Sequence, residues 1–290
     1  MKIKGKLVII GGAEDKGDPD SKNGTDPYDY TKSGILARII KEAKHNGNSR
    51  IEIIPTASTI PEEIGQDYIT AFKKLKAENV DILDIRTRED AGDPKILTRL
   101  EEADVVFFTG GSQIRITSII GGSPFFDLML KKLETDPDFI YAGTSAGAAA
   151  ASPNMIMEGS STDALKKGEV KISAGLGLID DVVFDTHFVK RGRIGRLFQV
   201  ILTNPTVLGI GLEENTGLLF TNNNTKMEAI GPGMAIIIDG RFIRNSNLLE
   251  IKEGVPLSID NLSLQVMSKT DIYDLQTRQM TIITPDDCKI

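Results

Sequence analysis

A serine between two glycines, in the sequence Gly-Thr-Ser-Ala-Gly at residues 143–147, is the feature of this chain best suited to chemistry. An apolar, strand-like run (139–142) precedes it, and small residues suited to the start of a helix (148–151) follow. Strand, sharp turn and helix in this order form the setting of a nucleophile elbow. A helix N-terminus also favours an anion that forms beside it. The pattern predicts that Ser145 is a nucleophile; the alternative is a tight turn with an idle serine.

A serine nucleophile normally needs a histidine as its base, and the chain has only two, His45 and His187. His45 lies at the polar end of a predicted helix closed by Asn and Gly, where a histidine interacts with the last carbonyl groups. His187 lies near the end of an apolar run (182–188), and strand ends carry the chemistry of α/β enzymes. We therefore expect His187 to be the base.

The base in turn needs a carboxylate to orient it. Spacing alone does not choose among the candidates. Glu213 and Glu214 follow an apolar strand (207–212), which favours this pair without separating its members. The candidates are Asp163, Asp180, Asp181, Asp185, Glu213 and Glu214.

A glycine pair after another predicted strand could supply the oxyanion hole. Such a hole needs two backbone N–H groups, one usually from the residue after the nucleophile, which here is Ala146. Gly111 is the candidate for the second, because a glycine lets the backbone approach a substrate closely. The alternative is that Gly110 and Gly111 only turn the chain. Gln113 follows this turn and could contact substrate.

Three arginines lie just past the expected base, in the sequence Lys-Arg-Gly-Arg-Ile-Gly-Arg at residues 190–196. A run of charge is usually a solvated face. Beside a catalytic histidine, however, Arg191, Arg193 and Arg196 are suited to a carboxylate, since a guanidinium pairs with one through two parallel hydrogen bonds. This favours a substrate that carries a carboxylate.

The elements that must position these residues alternate in type over the first half of the chain. Short apolar runs separated by helices predict a parallel sheet covered on both faces, with the carboxyl ends of its strands along one edge. The predicted class is therefore α/β, with three layers and an open, mostly parallel, twisted sheet. The expected strands are 7–10, 51–54, 80–85, 105–108 and 139–142, and the expected helices are 33–43, 61–77 and 125–134.

After residue 206 the pattern changes to short strands joined by tight turns, which predicts an antiparallel meander beside the main sheet. We expect one domain over residues 1–290, with a β-rich extension over 216–290. The polar stretch 13–31 reads as a loop, either a mobile surface loop or a wall of the active site.

Composition narrows the function classes. The net charge of −7 argues against a nucleic-acid partner. No apolar run approaches the roughly 20 residues that span a bilayer, and the first residues lack the long apolar stretch typical of a signal peptide, so we expect a cytoplasmic protein without a signal peptide or membrane contact. The single cysteine, Cys288, excludes an intramolecular disulfide, and with two histidines it argues against a zinc site.

Seven segments together resemble the cyanophycinase family of serine peptidases, which is related to alpha-aspartyl dipeptidase (peptidase E). The resemblance implies a fold similar to that of class I glutamine amidotransferases and a Ser-His-Glu triad. Ser145 would be the nucleophile, His187 the base and Glu214 its orienting acid, with Glu213 as the alternative. The matching segments are residues 9–14, 108–113, 143–148, 173–178, 185–188, 191–193 and 209–216.

The resemblance also implies a substrate. Cyanophycinases hydrolyse cyanophycin (multi-L-arginyl-poly-L-aspartate) to beta-aspartyl-arginine dipeptides through an acyl-enzyme, without a cofactor or a metal, and relatives are often homodimers. The family usually has glutamine where Thr186 stands, which affects the pocket and leaves the triad intact. The positions that match the pocket lining of the family are Gln113, Asp185, Thr186, Arg191, Arg193 and Arg196.

Two other functions compete with this one. A dipeptidase that cuts after an N-terminal aspartate would share the triad and the arginines, although such enzymes are shorter. An inactive, amidotransferase-like binding protein would have lost a member of the triad, and here all three are present.

Overall fold

The computed structural model describes residues 2–17 and 30–284, so Cys288 and residues 18–29 of the predicted loop lie outside the described residues. The α-helices are α1 (Tyr30–Ser33), α2 (Ile35–Glu42), α3 (Pro61–Lys74), α4 (Pro94–Glu102), α5 (Gln113–Ile120), α6 (Pro124–Thr135), α7 (Ala146–Ala150) and α8 (Ile194–Thr203). The strands up to the site are β1 (Lys6–Ile10), β2 (Ile51–Ile54), β3 (Val80–Ile82), β4 (Val105–Phe108), β5 (Ile140–Thr144), β6 (Asn154–Glu158), β7 (Lys171–Ala174) and β8 (Val182–Thr186). The later strands are β9 (Leu208–Leu212), β10 (Gly217–Thr221), β11 (Lys226–Ile230), β12 (Ala235–Asp239), β13 (Asn245–Ser246), β14 (Ile259–Asp260), β15 (Ser263–Met267), β16 (Ile272–Asp274) and β17 (Gln279–Thr281).

The central sheet has the strand order β17-β16-β11-β10-β1-β5-β4-β2-β3. The strands β1, β5, β4, β2 and β3 run parallel, and β10, β11, β16 and β17 extend the sheet with antiparallel pairs. Strands β1, β4 and β5 are almost wholly apolar on both faces, as expected for strands covered on both sides, whereas β2 contains the buried Glu52 and β3 the exposed Asp81. Their carboxyl ends lie along one edge, because successive parallel strands point the same way.

Two hydrophobic layers cover the faces of the central sheet. Val8 and Ile10 of β1 pack with α2 and α3, and the intervening Leu7 and Ile9 pack on the opposite side with residues of α4 to α7. This alternation follows from the two-residue period of a strand. The predicted mixed α/β class is confirmed. Among the described residues, no helix combines the length and the apolar composition needed to cross a membrane.

A second sheet, of order β15-β12-β9-β8, packs on the same side as α4 to α7, and α8 covers its outer face. The prediction that the strands over 208–239 form one meander is wrong, because they belong to two sheets. Strands β9 and β12 pair in the second sheet, whereas β10 and β11 between them pair in the central sheet. Both β9 and β10 are almost wholly apolar, so their residues fit either sheet. Turn signals predict the order of strands but not their partners.

The C-terminal strap, which we define as residues 245–260, lies against the loop 159–170 that joins β6 to β7. Lys167 makes most of the contact. Its Nζ donates to the carbonyl oxygens of Leu248 (2.7 Å) and Ile251 (2.8 Å), and its backbone N–H donates to Val255 (3.0 Å). On its other side, the loop contacts Gln199 of α8. The backbone N–H of Gly168 donates to Gln199 Oε1, and Gln199 Nε2 donates to two carbonyl oxygens of the loop. The strap is thereby connected to the helix that carries Arg196.

Candidate active site

Ser145 stands at the turn between β5 and α7 with φ 50° and ψ −101°, a conformation that a side chain-bearing residue rarely adopts. Its backbone N–H donates to the carbonyl oxygen of Ile10 at 2.9 Å, which ties the turn to the end of β1. A Cβ atom built on Gly143 would lie 2.6 Å from the backbone of Gly147. The turn therefore requires glycine at its first position, and the strained serine is the signature of a nucleophile elbow.

His187 lies between Ser145 and Glu214. Its Nε2 is 3.2 Å from Ser145 Oγ, and its Nδ1 is 2.8 Å from Glu214 Oε1. Because an ionised carboxylate only accepts, this arrangement assigns the proton to Nδ1 and leaves Nε2 to accept from the serine hydroxyl. The side chain of His187 is only 10% exposed, so little water competes for these hydrogen bonds.

The two adjacent glutamates have different partners. Glu214 contacts the histidine ring, whereas Glu213 Oε2 accepts the backbone N–H groups of Val189 (2.5 Å) and Lys190 (3.0 Å). Glu213 therefore holds the turn that follows His187, and Glu214 is the carboxylate placed to orient the ring. Of the other acids proposed from spacing, Asp185 pairs with Arg196 and Asp163 pairs with Lys166.

The three residues come from different parts of the fold. Ser145 follows a strand of the central sheet, His187 follows β8 of the second sheet, and Glu214 lies in the connection from β9 to β10 that crosses between the sheets. Strands β8 and β9 are parallel and end together at Thr186 and Leu212, which brings the histidine and the glutamate to one edge. The line Ser145–His187–Glu214 thus spans two sheets.

The segment after β1 binds both the turn that carries His187 and the turn that follows Glu214. Gly11 O accepts from His187 N at 3.0 Å, and Gly12 O accepts from Asn215 N at 2.9 Å. A Cβ atom on Gly12 would lie 2.5 Å from Nε2 and Cε1 of His187, so the ring packs directly on this glycine. Ser145, His187 and Asn215 all have positive φ angles, which places backbone strain at the three turns that meet here.

The candidate oxyanion donors lie beside the serine. A Cβ atom on Gly110 would be 3.4 Å from Ser145 Cβ, and one on Gly111 would be 2.2 Å from the carbonyl oxygen of Ala57. The glycine pair therefore passes closely between the turn at Ser145 and the turn at Ala57. Within residues 2–17 and 30–284, the N–H groups of Gly111 and Ala146 have no hydrogen-bond partner. Unpaired amides next to the serine are suited to stabilising an anion.

The predicted arginines occupy different environments. Arg196 and Asp185 are buried against each other, through Nε to Oδ2 at 2.8 Å and through Nη2 to Oδ1. Arg193 Nη1 donates to the carbonyl oxygen of Thr186 at 2.8 Å. Arg191 is exposed, and its guanidinium has no partner in the described part of the chain. Burial raises the pKa of Asp185, and the Arg196 guanidinium opposes that effect.

The remaining residues proposed from the sequence also differ in burial and in their hydrogen-bond partners. Gln113, half-buried at the start of α5, donates to the carbonyl oxygen of Ile156 at 2.9 Å. Thr186 is buried at the end of β8, next to His187. His45 is exposed after α2, where its N–H donates to Ser49. Among the described residues, no group of His, Cys, Asp and Glu side chains is arranged to hold a metal ion.

One buried acid next to the site was not singled out by the sequence reasoning. Glu14 accepts hydrogen bonds from Thr144, the residue before the nucleophile, and from Tyr68. The sequence signal was the position of Glu14 two residues after Gly12, just past the strand end that faces the serine turn.

Comparison with known proteins identifies relatives along most of the chain. The sequence profile described as peptidase family S51 matches residues 28–228. A protein named cyanophycinase from Trichormus variabilis is 34% identical over 275 residues, covering 95% of this chain and 87% of its own length. One of the same name from Synechococcus elongatus is 33% identical over 277 residues, covering 96% and 81%.

Solved structures show the same fold at lower identity. A peptidase from an acI-B1 actinobacterium superposes with a TM-score of 0.60 and 20% identity, covering 92% of this chain and 98% of that chain. A protein described as a putative peptidase E from Listeria monocytogenes superposes with a TM-score of 0.51 and 16% identity, covering 79% and 99%.

Proposed function

Because the chain belongs to peptidase family S51 and is a serine-type peptidase, we propose that it hydrolyses cyanophycin to beta-aspartyl-arginine dipeptides. The observation that carries the proposal is the hydrogen-bonded line from Ser145 through His187 to Glu214, in a chain whose curated relatives are named cyanophycinase. The exposed Arg191 beside this line supports a substrate with a free carboxylate.

In the proposed reaction, Ser145 Oγ attacks a backbone carbonyl carbon of the polyaspartate chain while His187 Nε2 takes the hydroxyl proton. The imidazolium that forms is stabilised by Glu214 through Nδ1–H. The N–H groups of Gly111 and Ala146 would bind the developing oxyanion, a contribution on the order of 3 kcal/mol for each donor. His187 then returns its proton to the leaving amine, and water, activated by the same imidazole, releases the acyl group from the serine.

We further propose that the arginines act in two ways. Arg191 and Arg193 border the turn after His187, and they would pair with the carboxylate of the beta-aspartyl unit. Arg196 is committed to Asp185 and would hold that carboxylate and the end of β8 in place. Gln113 and Thr186 would complete the proposed pocket.

The test is incubation of the protein with purified cyanophycin, followed by mass analysis of the soluble products. Release of beta-Asp-Arg, abolished in Ser145→Ala, supports the proposal. Release of free aspartate from Asp-X dipeptides with the polymer left intact would assign the chain to the dipeptidases instead. Unchanged hydrolysis by Ser145→Ala would overturn the serine mechanism.

We also propose that the protein acts in the cytoplasm as a homodimer. Both statements come from the sequence and from the family resemblance, and light scattering on the purified protein tests the dimer directly.

A further inference from the structure

Glu14 is a buried carboxylate that the proposed mechanism does not use. Its residue is 4% exposed, its Oε2 accepts from Thr144 Oγ1 at 2.7 Å, and its Oε1 accepts from the Tyr68 hydroxyl. No lysine or arginine of the described residues forms an ion pair with it. A buried carboxylate without a cation is costly to maintain unless its hydrogen bonds compensate.

The hydroxyl partners of Glu14 are themselves enclosed. Thr144 is 2% exposed at the end of β5, and Tyr68 is 5% exposed on α3. Burial and the neighbouring Glu14 charge raise the pKa of Tyr68 well above its usual value, so the phenol stays neutral and donates. The Lys16 ammonium lies 4.2 Å from the centroid of the Tyr68 ring, on the same segment as Glu14. The carboxylate therefore joins α3 to the last residue before the nucleophile.

The segment that carries Glu14 also contacts every turn of the triad. Its backbone oxygens accept from Ser145 N at Ile10, from His187 N at Gly11 and from Asn215 N at Gly12. Ser145 keeps its strained φ and ψ only while its surroundings over-determine them. Thr144 is the residue on which the turn begins, and its side chain is held by Glu14.

We propose that Glu14 is a positioning residue for the nucleophile: by accepting the Thr144 hydroxyl, it fixes the end of β5 and holds Ser145 in the conformation that meets His187. This inference rests on the proposed serine mechanism. Glu14 itself does not touch the hydrogen-bonded line from Ser145 to Glu214, and its oxygens face Thr144 and Tyr68. Its effect should therefore appear in the catalytic step and not in substrate binding.

The test compares Glu14→Ala, Glu14→Gln and Thr144→Val. A misplaced nucleophile lowers kcat by about 10- to 100-fold in Glu14→Ala, while KM stays within about twofold. Glutamine keeps the shape, and the Thr144 and Tyr68 hydroxyls can each donate or accept, so we expect Glu14→Gln to recover kcat to within about threefold of wild type. Thr144→Val removes the donor and should resemble Glu14→Ala.

Tyr68→Phe is the matched control. It removes the other hydroxyl that contacts Glu14 and leaves the bond to Thr144 in place. We expect its kcat to fall by less than that of Thr144→Val. Equal losses of kcat in the two variants would show that the effect comes from packing around Glu14 and not from its hydrogen bond to Thr144, and would overturn the proposal.

A second readout separates this inference from the identity of the substrate. The rate at which a fluorophosphonate labels Ser145 depends on the nucleophile and its base, and it requires no peptide substrate. Slow labelling of Glu14→Ala and Thr144→Val, with Glu14→Gln close to wild type, supports positioning even if cyanophycin is not hydrolysed. Wild-type labelling rates in Glu14→Ala would overturn it.

The melting temperature of each variant shows whether it folds. If Glu14→Ala does not fold, Thr144→Val and Glu14→Gln carry the test. A folded Glu14→Gln that is as slow as Thr144→Val would show that hydrogen bonding at this position is not what matters, and would also overturn the proposal.

Discussion

Glu213 and Glu214 are adjacent in the sequence and hold different groups. Glu214 accepts from the histidine ring, and Glu213 accepts from two backbone N–H groups of the turn that follows it. The same side-chain chemistry thus serves an imidazole at one position and a loop at the next. A matched pair of substitutions can separate these effects.

We expect Glu214→Gln to lower kcat on the order of 10³- to 10⁴-fold, because the amide no longer stabilises the imidazolium and can select the wrong tautomer. Glu213→Gln is the control; it keeps an acceptor for the loop and should lower kcat far less. Steady-state kinetics and fluorophosphonate labelling measure both. A larger loss in Glu213→Gln would contradict the assignment of Glu214.

Arg191 allows a test of carboxylate binding. Because its guanidinium is exposed and unpaired among the described residues, Arg191→Ala should leave the fold intact and raise KM by about 10-fold or more, with a smaller change in kcat. Lys73→Ala, which removes an exposed charge from α3, is the control and should leave KM unchanged. An equal rise in KM for both variants would point to overall charge instead.

At the scale of single residues, local patterns indicated two members of the candidate site. Gly-Thr-Ser-Ala-Gly singled out Ser145, and the scarcity of histidine singled out His187. Spacing did not separate Glu213 from Glu214, because the choice depends on which side chain faces the imidazole of His187. Glu14 was not singled out for the same reason: its partners, Thr144 and Tyr68, are distant in sequence.

At the scale of elements, the glycine that ends β1 sets the position of the histidine. Gly12 has φ 101°, and a Cβ atom there would lie 2.5 Å from the His187 ring. We expect Gly12→Ala to lower kcat by about 100-fold through displacement of the ring. Gly254 also has a positive φ (79°) but open space around it, so Gly254→Ala carries the backbone strain alone and should leave kcat near wild type. Equal activity of the two variants would argue against packing on Gly12.

The end of β12 is fixed by a buried carboxylate. Asp239 accepts from Arg241 Nη2 and Arg278 Nη1, each at 2.8 Å, and Arg278 lies between β16 and β17. Burial alone would raise the pKa of Asp239, but the hydrogen bonds and charges of the arginines outweigh it, so the pKa is lowered. The stabilisation is present above the unfolded pKa, about 3.9, and is lost as the pH falls through the lower folded value.

Asp239→Asn should therefore be less stable than wild type at neutral pH by about 2 kcal/mol, and the difference should shrink below about pH 4. Urea unfolding between pH 2 and pH 7 measures it. A difference that is independent of pH would contradict the role of the ionised carboxylate.

Element types were easier to predict than element partners. The five parallel strands and the helices α2, α3 and α6 were predicted within a few residues, whereas α4, α5 and α8 were not predicted. The second sheet was not predicted, because β8 and β9 carry no local sign that they pair with each other and not with the central sheet. The likeness to class I glutamine amidotransferases, and the extent of the domain, remain predictions.

At the scale of the whole molecule, the C-terminal strap is connected to the turn after His187 through the loop 159–170. Lys167 binds the strap, Gln199 binds the loop to α8, and Ser161 Oγ donates to the carbonyl oxygen of Arg191 at 2.6 Å. The family profile ends at residue 228, before the strap begins. The strap therefore supports, from outside the profile, the turn that carries the proposed carboxylate-binding arginine.

Lys167→Met removes two hydrogen bonds from a charged donor, a loss of about 3 kcal/mol, and each kcal/mol lowers the melting temperature by about 2–4 °C. We also expect KM to rise, because the loop no longer holds the Arg191 turn. Lys252→Met, an exposed position in the same strap, is the control. A lower melting temperature with an unchanged KM would show that the strap acts on stability alone.

Ser145 follows a strand of the central sheet, and His187 follows a strand of the second sheet. The distance between their side chains therefore depends on the relative position of the two sheets. A displacement of about 1 Å of one sheet against the other would weaken the contact between the hydroxyl and the imidazole while every strand stayed intact. During gentle heating, turnover should therefore disappear before circular dichroism changes, and it should return on cooling.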